Sequence, residues 1–302
     1  MEKTLIVILG PTGIGKSDLS INIARHFNTE IISSDSRQIF KELSIGTAVP
    51  SLSDLKRVKH HLIQNLSIRD DYNASKYETD ALKIISQLFQ KKDTVILCGG
   101  SMLYIDTICK GIDIIPDVNQ EIHTQILKEY NENGIEHLRL KLKNIDPDYY
   151  NIVDLKNTNR IIHALDISLT TGKPYSSYRK GLKKIRPFNI IKIGLNTDRQ
   201  KLYDRINLRV DKMIKNGLIE EAKNVYPFRQ LNALNTVGYK ELFDYFDKKS
   251  DLHYAIKKIK TNTRHYAKKQ LTWFKNDDEI HWFQPSQKNE IINFIQNSTQ
   301  KF

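Results

Sequence analysis

Residues 10–17 read Gly10-Pro11-Thr12-Gly13-Ile14-Gly15-Lys16-Ser17, a complete loop of the form G-x-x-x-x-G-K-[ST]. Such a loop surrounds phosphate oxygens with backbone N–H groups at a helix N-terminus. Its lysine, Lys16, would set a point charge on terminal phosphate oxygens, and the Ser17 hydroxyl would be offered to Mg²⁺. The loop implies that a di- or triphosphate binds. It does not imply that phosphate is the group transferred.

A second set of chemical groups follows in Ser34-Asp35-Ser36-Arg37-Gln38. A carboxylate at Asp35, just past a strand and beside a phosphate site, suits a general base or a metal ligand. It equally suits a helix N-cap ahead of Arg37-Gln38-Ile39-Phe40. Arg37 and Gln38 add a fork of donors and an amide, groups suited to base edges or phosphates. Gly99-Gly100-Ser101 lets backbone approach a ligand closely and places a hydroxyl at the start of a helix. Arg205 and Arg209, four residues apart on one expected helix, reach a diphosphate together or pair with Asp204 or Asp211. Both readings stand on sequence.

The elements that must position these groups are legible. Thr4–Leu9 is a short, β-branched, apolar run, read as a buried strand, and Ser17–Phe27 has helical spacing. Glu30–Ser33 is a second strand, ending near Asp35. Ser75-Lys76-Tyr77-Glu78 reads as a capping box opening a helix to about Gln90. Thr94–Cys98 is another buried strand, and a helix is expected from Ser101 to about Lys110. This is the βαβ alternation of a parallel sheet flanked by helices, an α/β fold of the P-loop nucleoside-triphosphate-hydrolase type. Ligands in such sheets sit at the carboxyl ends of the strands. The glycine loop, Asp35 and Gly99-Gly100-Ser101 should therefore line one cleft.

From 113 to 187 helical patterns replace strands, at Gln120–Asn131, Ile135–Leu142 and Asn157–Thr170. The last should stop at Thr171-Gly172-Lys173-Pro174. Three segments are expected: a first part of the core over 1–112, a mostly helical insertion over 113–187, and completion of the core with C-terminal helices over 188–302. Strand character returns at Phe188–Gly194. Helices are then expected at Asp198–Asn216, Leu218–Val225, Tyr239–Phe246 and His253–Lys275, with a last edge strand at Glu279–Phe283.

Composition narrows the class. The chain has 302 residues and a formal net charge of +12. No apolar run approaches the roughly 20 residues that span a bilayer, and the apolar start leads into the loop instead of a cleavage site. Two cysteines, Cys98 and Cys109, exclude a disulfide scaffold and suggest no zinc site; the expected compartment is the cytoplasm. Lys156–Lys192 holds nine Lys/Arg and one acidic residue, Asp166, and Lys257–Lys275 holds seven Lys/Arg and none. Aromatics lie among these charges. The distribution reads as a footprint for nucleic acid or as solvated faces.

Taken in order, these residues resemble the bacterial-type tRNA dimethylallyltransferases, the IPP transferase family. The loop is similar to GPT-x-x-GK-[ST], and Ile32–Phe40 to I-S-x-D-S-x-Q-[IV]-[YF]. Gly46-Thr47-Ala48-Val49-Pro50 is similar to GTAKP, and Gly99–Tyr104 to GGT-x-LY. Asn159–Leu165 resembles the N-x-x-R-x-x-RALE region, Val237–Glu241 a late VGY-[KR]-[EQ], and Arg264–Phe274 the closing R-x-x-AKRQ-x-TW-[FL]. The match runs through most of the chain.

The resemblance implies transfer of the dimethylallyl group from dimethylallyl diphosphate to N6 of adenosine 37, in tRNAs reading codons that begin with U. It implies Asp35 as base, with Lys16 and Ser101 also catalytic. Gly10, Pro11, Thr12, Gly13, Ile14, Gly15, Lys16 and Ser17, with Arg205 and Arg209, would hold diphosphate and Mg²⁺. Contacts to the tRNA anticodon stem-loop would come from Asp35, Ser36, Arg37, Gln38, Ser101, His123, Asn159, Arg160, Ile161, Ile162 and His163. The expected state is a monomer. Val49 stands in place of a lysine and His163 in place of an arginine, which bears on tRNA affinity more than on chemistry. The rivals are an ATP-using small-molecule kinase, an RNA-binding nucleotide switch, and an adenylate dimethylallyltransferase acting on free AMP or ATP.

Overall fold

The structure is a computed structural model and describes residues 2–181 and 183–299. The chain divides into two compact units, one formed by Met1–Cys109 with Ile185–Phe302, the other by Lys110–Lys184.

The first unit is built on β1 (Thr4–Leu9), α1 (Lys16–His26), β2 (Ile31–Ser34), α2 (Leu52–Arg57), β3 (His60–His61), α3 (Ala74–Phe89), β4 (Thr94–Gly99) and α4 (Met102–Lys110). Its six strands lie in the order β3-β2-β4-β1-β5-β6, with β5 at Asn189–Leu195 and β6 at Ile280–Phe283. Every pairing is parallel. A central parallel strand is covered on both faces, and β1 shows this: all six residues are buried. Leu5, Val7 and Leu9 point into one core with Ile32, Leu97 and Tyr239. Ile6 and Ile8 point into the other with Leu19, Ile206 and Ile295. That alternation is the two-residue period of a strand, and each such side chain contributes about 1.5–3 kcal/mol of burial.

The expected capping box at Ser75 is corrected. The N-cap of α3 is Asn73, whose side chain accepts the N–H groups of Ser75 and Lys76. An Asn two residues earlier offers an equally good acceptor, and the chain is already helical when it reaches Ser75. Two short elements, α2 and β3, carry too few residues for a periodic signal.

The second unit is helical: α5 (Gln120–Ile145), α6 (Pro147–Tyr150) and α7 (Thr158–Thr171). α5 is broken at Gly134, where φ is 74°. α7 ends at Gly172 in the left-handed region, the glycine C-cap that the sequence implies. The core is Ile126, Leu138, Leu142, Ile161, Ala164 and Leu165.

The first unit continues with β5, α8 (Arg199–Lys215), α9 (Leu218–Val225), α10 (Tyr239–Phe246), α11 (Leu252–Phe274), β6 and α12 (Lys288–Thr299). α12 lies beyond the last motif, and its Ile291 and Ile295 are fully buried. Among the described residues no helix is long and apolar enough to cross a membrane.

Candidate active site

The phosphate loop joins β1 to α1 at the carboxyl edge of the sheet. Gly10 sits at φ 142°, and a Cβ there would stand 2.7 Å from the Leu195 carbonyl oxygen on β5. A glycine is therefore required by the backbone crossing next door. Inside the loop, Ile14 is fully buried and donates its N–H to the Pro11 carbonyl, so it contributes packing. The Thr12 N–H donates to Gln270 Oε1 at 2.8 Å. Among the described residues the N–H groups of Gly13 and Gly15, with the first-turn N–H groups of Lys16 and Ser17, meet no backbone acceptor, as expected at a helix N-terminus. Lys16 Nζ folds back on the carbonyls of Gly10 and Pro11, at 3.0 and 2.9 Å. Burial lowers its pKa to about 8, against the pull of Cys98 and Asp35 and with the push of Arg209.

Two cavities adjoin at this edge. The larger, about 570 Å³, is lined by Gly15, Lys16, Ser17, Arg205 and Arg209. The other, about 350 Å³, runs past Ser36, Arg37 and Ser101 to an apolar wall of Val210, Met213, Val237 and Ile259. Thr12, Asp35, Arg209 and Tyr266 border both. One cavity thus offers the loop's cations and N–H groups, the other has an apolar wall beside its own polar lining, and a carboxylate borders both.

Of the two sequence readings of Asp35, the cap is met in its hydrogen bonding alone. Its Oδ1 accepts the N–H groups of Arg37 and Gln38 at 2.9 and 3.2 Å, the bonding of a cap, but turns follow instead of a helix. Its Oδ2 takes no hydrogen bond from the described residues. The neighbours of Asp35 are desolvated: burial lowers the pKa of Arg37 and of Arg209, and raises that of Tyr266 to about 12. Asp35 opposes the first two shifts and adds to the third. Arg205 donates to the Gly13 carbonyl at 3.0 Å. The alternative pairing with Asp204 or Asp211 is not formed: Asp204 accepts from Gln200, and Asp211 pairs with Lys260. Both arginines therefore face the phosphate loop's cavity.

Other expected residues are engaged differently. The buried Ser101 hydroxyl accepts the Ser36 N–H at 2.8 Å and meets the Ser36 hydroxyl at 3.2 Å, so it pins the loop after Asp35. The Gln38 amide donates to the carbonyls of Thr47 and Ala48, each at 3.1 Å, and holds the Gly46–Pro50 segment.

In the helical unit, Asn159 and Arg160 are exposed. Ile161 and Ile162 are buried in the unit's core, because they fall on the inner face of α7. His123 Nδ1 lies 2.9 Å from Asp166 Oδ2, whose side chain is 4% exposed. His163 packs edge-on to Tyr175, and desolvation lowers its pKa, against the pull of Asp166.

Three residues escaped the reading of the sequence. Gln270, on α11, is 2% exposed and bridges two loops: it accepts from Thr12 N and donates to the Gly100 carbonyl at 2.8 Å. A Cβ at Gly100 would stand 2.4 Å from its Nε2, which is why a glycine sits there. Glu221 receives the N–H groups of Ser44, Ile45 and Gly46 at 2.8–2.9 Å and the Tyr239 hydroxyl at 2.6 Å. Gln270 and Tyr239 lie inside motifs, the only signal that pointed to them; Glu221 had none. Among the described residues no group of three or more His, Cys, Asp or Glu is placed to hold a metal.

Comparison with known proteins gives the family. The model of a family described as "IPP transferase" matches residues 38–277. A protein named tRNA dimethylallyltransferase 1 from Bacteroides fragilis is 55% identical over 296 residues, covering 98% of each chain. The solved tRNA isopentenylpyrophosphate transferase of Bacillus halodurans is 33% identical, with a TM-score of 0.74 over 100% of this chain and 98% of that one. A eukaryotic dimethylallyltransferase, solved acting on tRNA, is 26% identical with a TM-score of 0.78, covering 93% of this chain and 74% of that one. With the phosphate loop, the carboxylate beside it and a match across most of its length, the chain belongs to the IPP transferase family.

Proposed function

We infer that this protein transfers the dimethylallyl group of dimethylallyl diphosphate to N6 of adenosine 37 in tRNAs that read codons beginning with U. The observation that carries the reading is the position of Asp35 on the border of two adjoining cavities, one lined by the phosphate loop with Arg205 and Arg209, the other bearing an apolar wall of Val210, Met213, Val237 and Ile259. The diphosphate belongs in the first and the five-carbon chain in the second. The relatives' names supply the group and the acceptor class.

The chemistry follows from the groups present. The N6 lone pair is delocalised into the purine ring, so the amine attacks only as its proton is removed. The Asp35 carboxylate accepts that proton while the N–C bond forms and the allylic C–O bond breaks. The electron pair leaves with diphosphate. Its growing charge is met by the N–H groups of the loop, by Lys16 once its side chain swings from the Gly10 and Pro11 carbonyls, and by Arg205 and Arg209. The same low dielectric that lowers the pKa of Lys16 strengthens these interactions. The donor set fits Mg²⁺, which takes few protein ligands and several phosphate oxygens: the Ser17 hydroxyl is exposed at the loop, and Asp18 lines the same cavity. When bound there, Mg²⁺ would neutralise charge on the diphosphate. The target adenine must leave the loop stack to reach the junction. Arg37 and Ser36 line its approach, and the exposed Arg160 adds phosphate contacts on the helical unit.

The test is transfer of labelled dimethylallyl from its diphosphate, with Mg²⁺, to bulk tRNA or to AMP and ATP. Label is expected on tRNA alone; label only on free nucleotides, or none on either, overturns the reading. Asp35→Asn keeps the size and both acceptor bonds to the turn, and should lower kcat about 10³-fold with tRNA binding retained. Unchanged turnover removes Asp35 as the base.

A further inference from the structure

Three cavity-lining residues, Thr263, Tyr266 and Gln270, share one face of α11. Position 273 continues the spacing, so Trp273 extends that face about 10 Å beyond Tyr266. It does not enter a core. Trp273 is 44% exposed, and its indole N–H donates to Asp106 Oδ2 on α4 at 2.8 Å. Leu103, one turn earlier on α4 and two residues after Ser101, is 53% exposed. Most exposed apolar side chains are isolated and free to turn. Here a large ring is tethered by its one polar atom, on the helix face that leads out of the candidate active site. The helix around it carries seven Lys/Arg and no acidic residue over Lys257–Lys275.

We propose that Trp273 is a stacking platform for an unpaired base of the RNA substrate, one that neighbours the adenosine drawn into the cleft. The proposal rests on the transferase reading above and adds a contact to it. When one base leaves a loop stack, its neighbour is left with a bare π-face. An aromatic ring covers such a face without regard to base identity, and surrounding cations hold the backbone that carries it. The Asp106 bond fixes the ring before the RNA arrives, so less side-chain freedom is lost on binding. Val237, Met213 and Ile259 bed the small substrate; Trp273 serves the polymer.

Trp273→Leu and Trp273→Phe test this in the full chain, with an anticodon stem-loop RNA and dimethylallyl diphosphate. Leucine keeps apolar bulk and cannot stack; phenylalanine stacks and loses only the indole N–H. The expected result is a KM for the stem-loop raised about tenfold by leucine and less than threefold by phenylalanine. The KM for dimethylallyl diphosphate should stay unchanged in both. Stem-loop binding should quench the wild-type tryptophan emission, and the quench should vanish in Trp273→Leu while Trp282 still emits. Equal KM values for the stem-loop in the leucine and phenylalanine variants, or an undiminished quench in the leucine variant, overturn the proposal and leave the transferase reading intact. Absence of transfer by the wild-type protein overturns both.

Discussion

In the sheet-bearing unit, polar side chains turn inward onto backbone. Gln270 joins the Thr12 N–H to the Gly100 carbonyl, Glu221 gathers three consecutive N–H groups, Gln38 holds two carbonyls and Ser101 holds Ser36. In the Lys110–Lys184 unit the basic side chains of Lys156, Arg160, Lys173, Arg179 and Lys180 are exposed, around a small apolar core. On the proposed function, the contrast follows from what each task would demand. Bond making requires reacting atoms held near 3 Å in a fixed orientation, so the loops that carry Lys16 and Asp35 are clamped. Attraction of a polyanion depends on the number of cations and tolerates imprecise placement. Substitutions in the first unit should therefore strike the chemistry, and those in the second should strike RNA affinity and its salt dependence.

Three experiments sharpen or break that contrast. The largest effect belongs to Lys16. Lys16→Ala should lower kcat/KM for dimethylallyl diphosphate about 10²–10³-fold, the scale for losing one charge-stabilising donor. With its pKa lowered to about 8 by burial, Lys16 is a cation below that pH and loses its proton above it. The wild-type kcat/KM for the diphosphate should thus fall as pH rises through about 8, and Lys16→Arg, which stays charged, should lose that limb of the profile. A pH profile unaltered by the arginine would detach the loop lysine from the chemistry.

Gln270→Leu comes next. It keeps the volume and leaves the Thr12 N–H and the Gly100 carbonyl without partners, each a cost of about 1–3 kcal/mol where buried. The expected outcome is a lower Tm together with a kcat reduced roughly tenfold or more, as 1 Å misplacements are, and with KM for tRNA little changed. A variant that loses tRNA affinity and keeps kcat would reverse the contrast. Arg160→Ala should have the smallest effect: a few-fold rise in KM for tRNA, kcat unaltered, and a slope of log affinity against log salt lowered by about one. An unchanged slope would remove Arg160 from the phosphate contacts.

How far the sequence carries the account depends on the range of each interaction. β1, β4 and β5 are apolar runs whose burial follows from local composition, and Gly172 ends α7 because its own backbone adopts the left-handed cap. The phosphate-loop motif is likewise local, since it is written in consecutive residues. Asn73 and Ser75 compete as caps within one turn, and only the chain's entry into the helix decides between them. Ile161 and Ile162 lie beside Arg160 in a motif, yet helical geometry turns them into the core while Arg160 faces solvent.

By itself, then, the amino-acid order determined the alternating elements, the phosphate loop, the carboxylate beside it and the two basic tracts, because each is written in neighbouring residues or in a short period. Only the tertiary structure decided which partners fix them. Gln270 meets Thr12 across 258 positions, and Glu221 meets the Ser44 N–H across 177. No local pattern marks such a pair: a buried amide or carboxylate finds its partner only when packing removes water and leaves backbone groups in need of one.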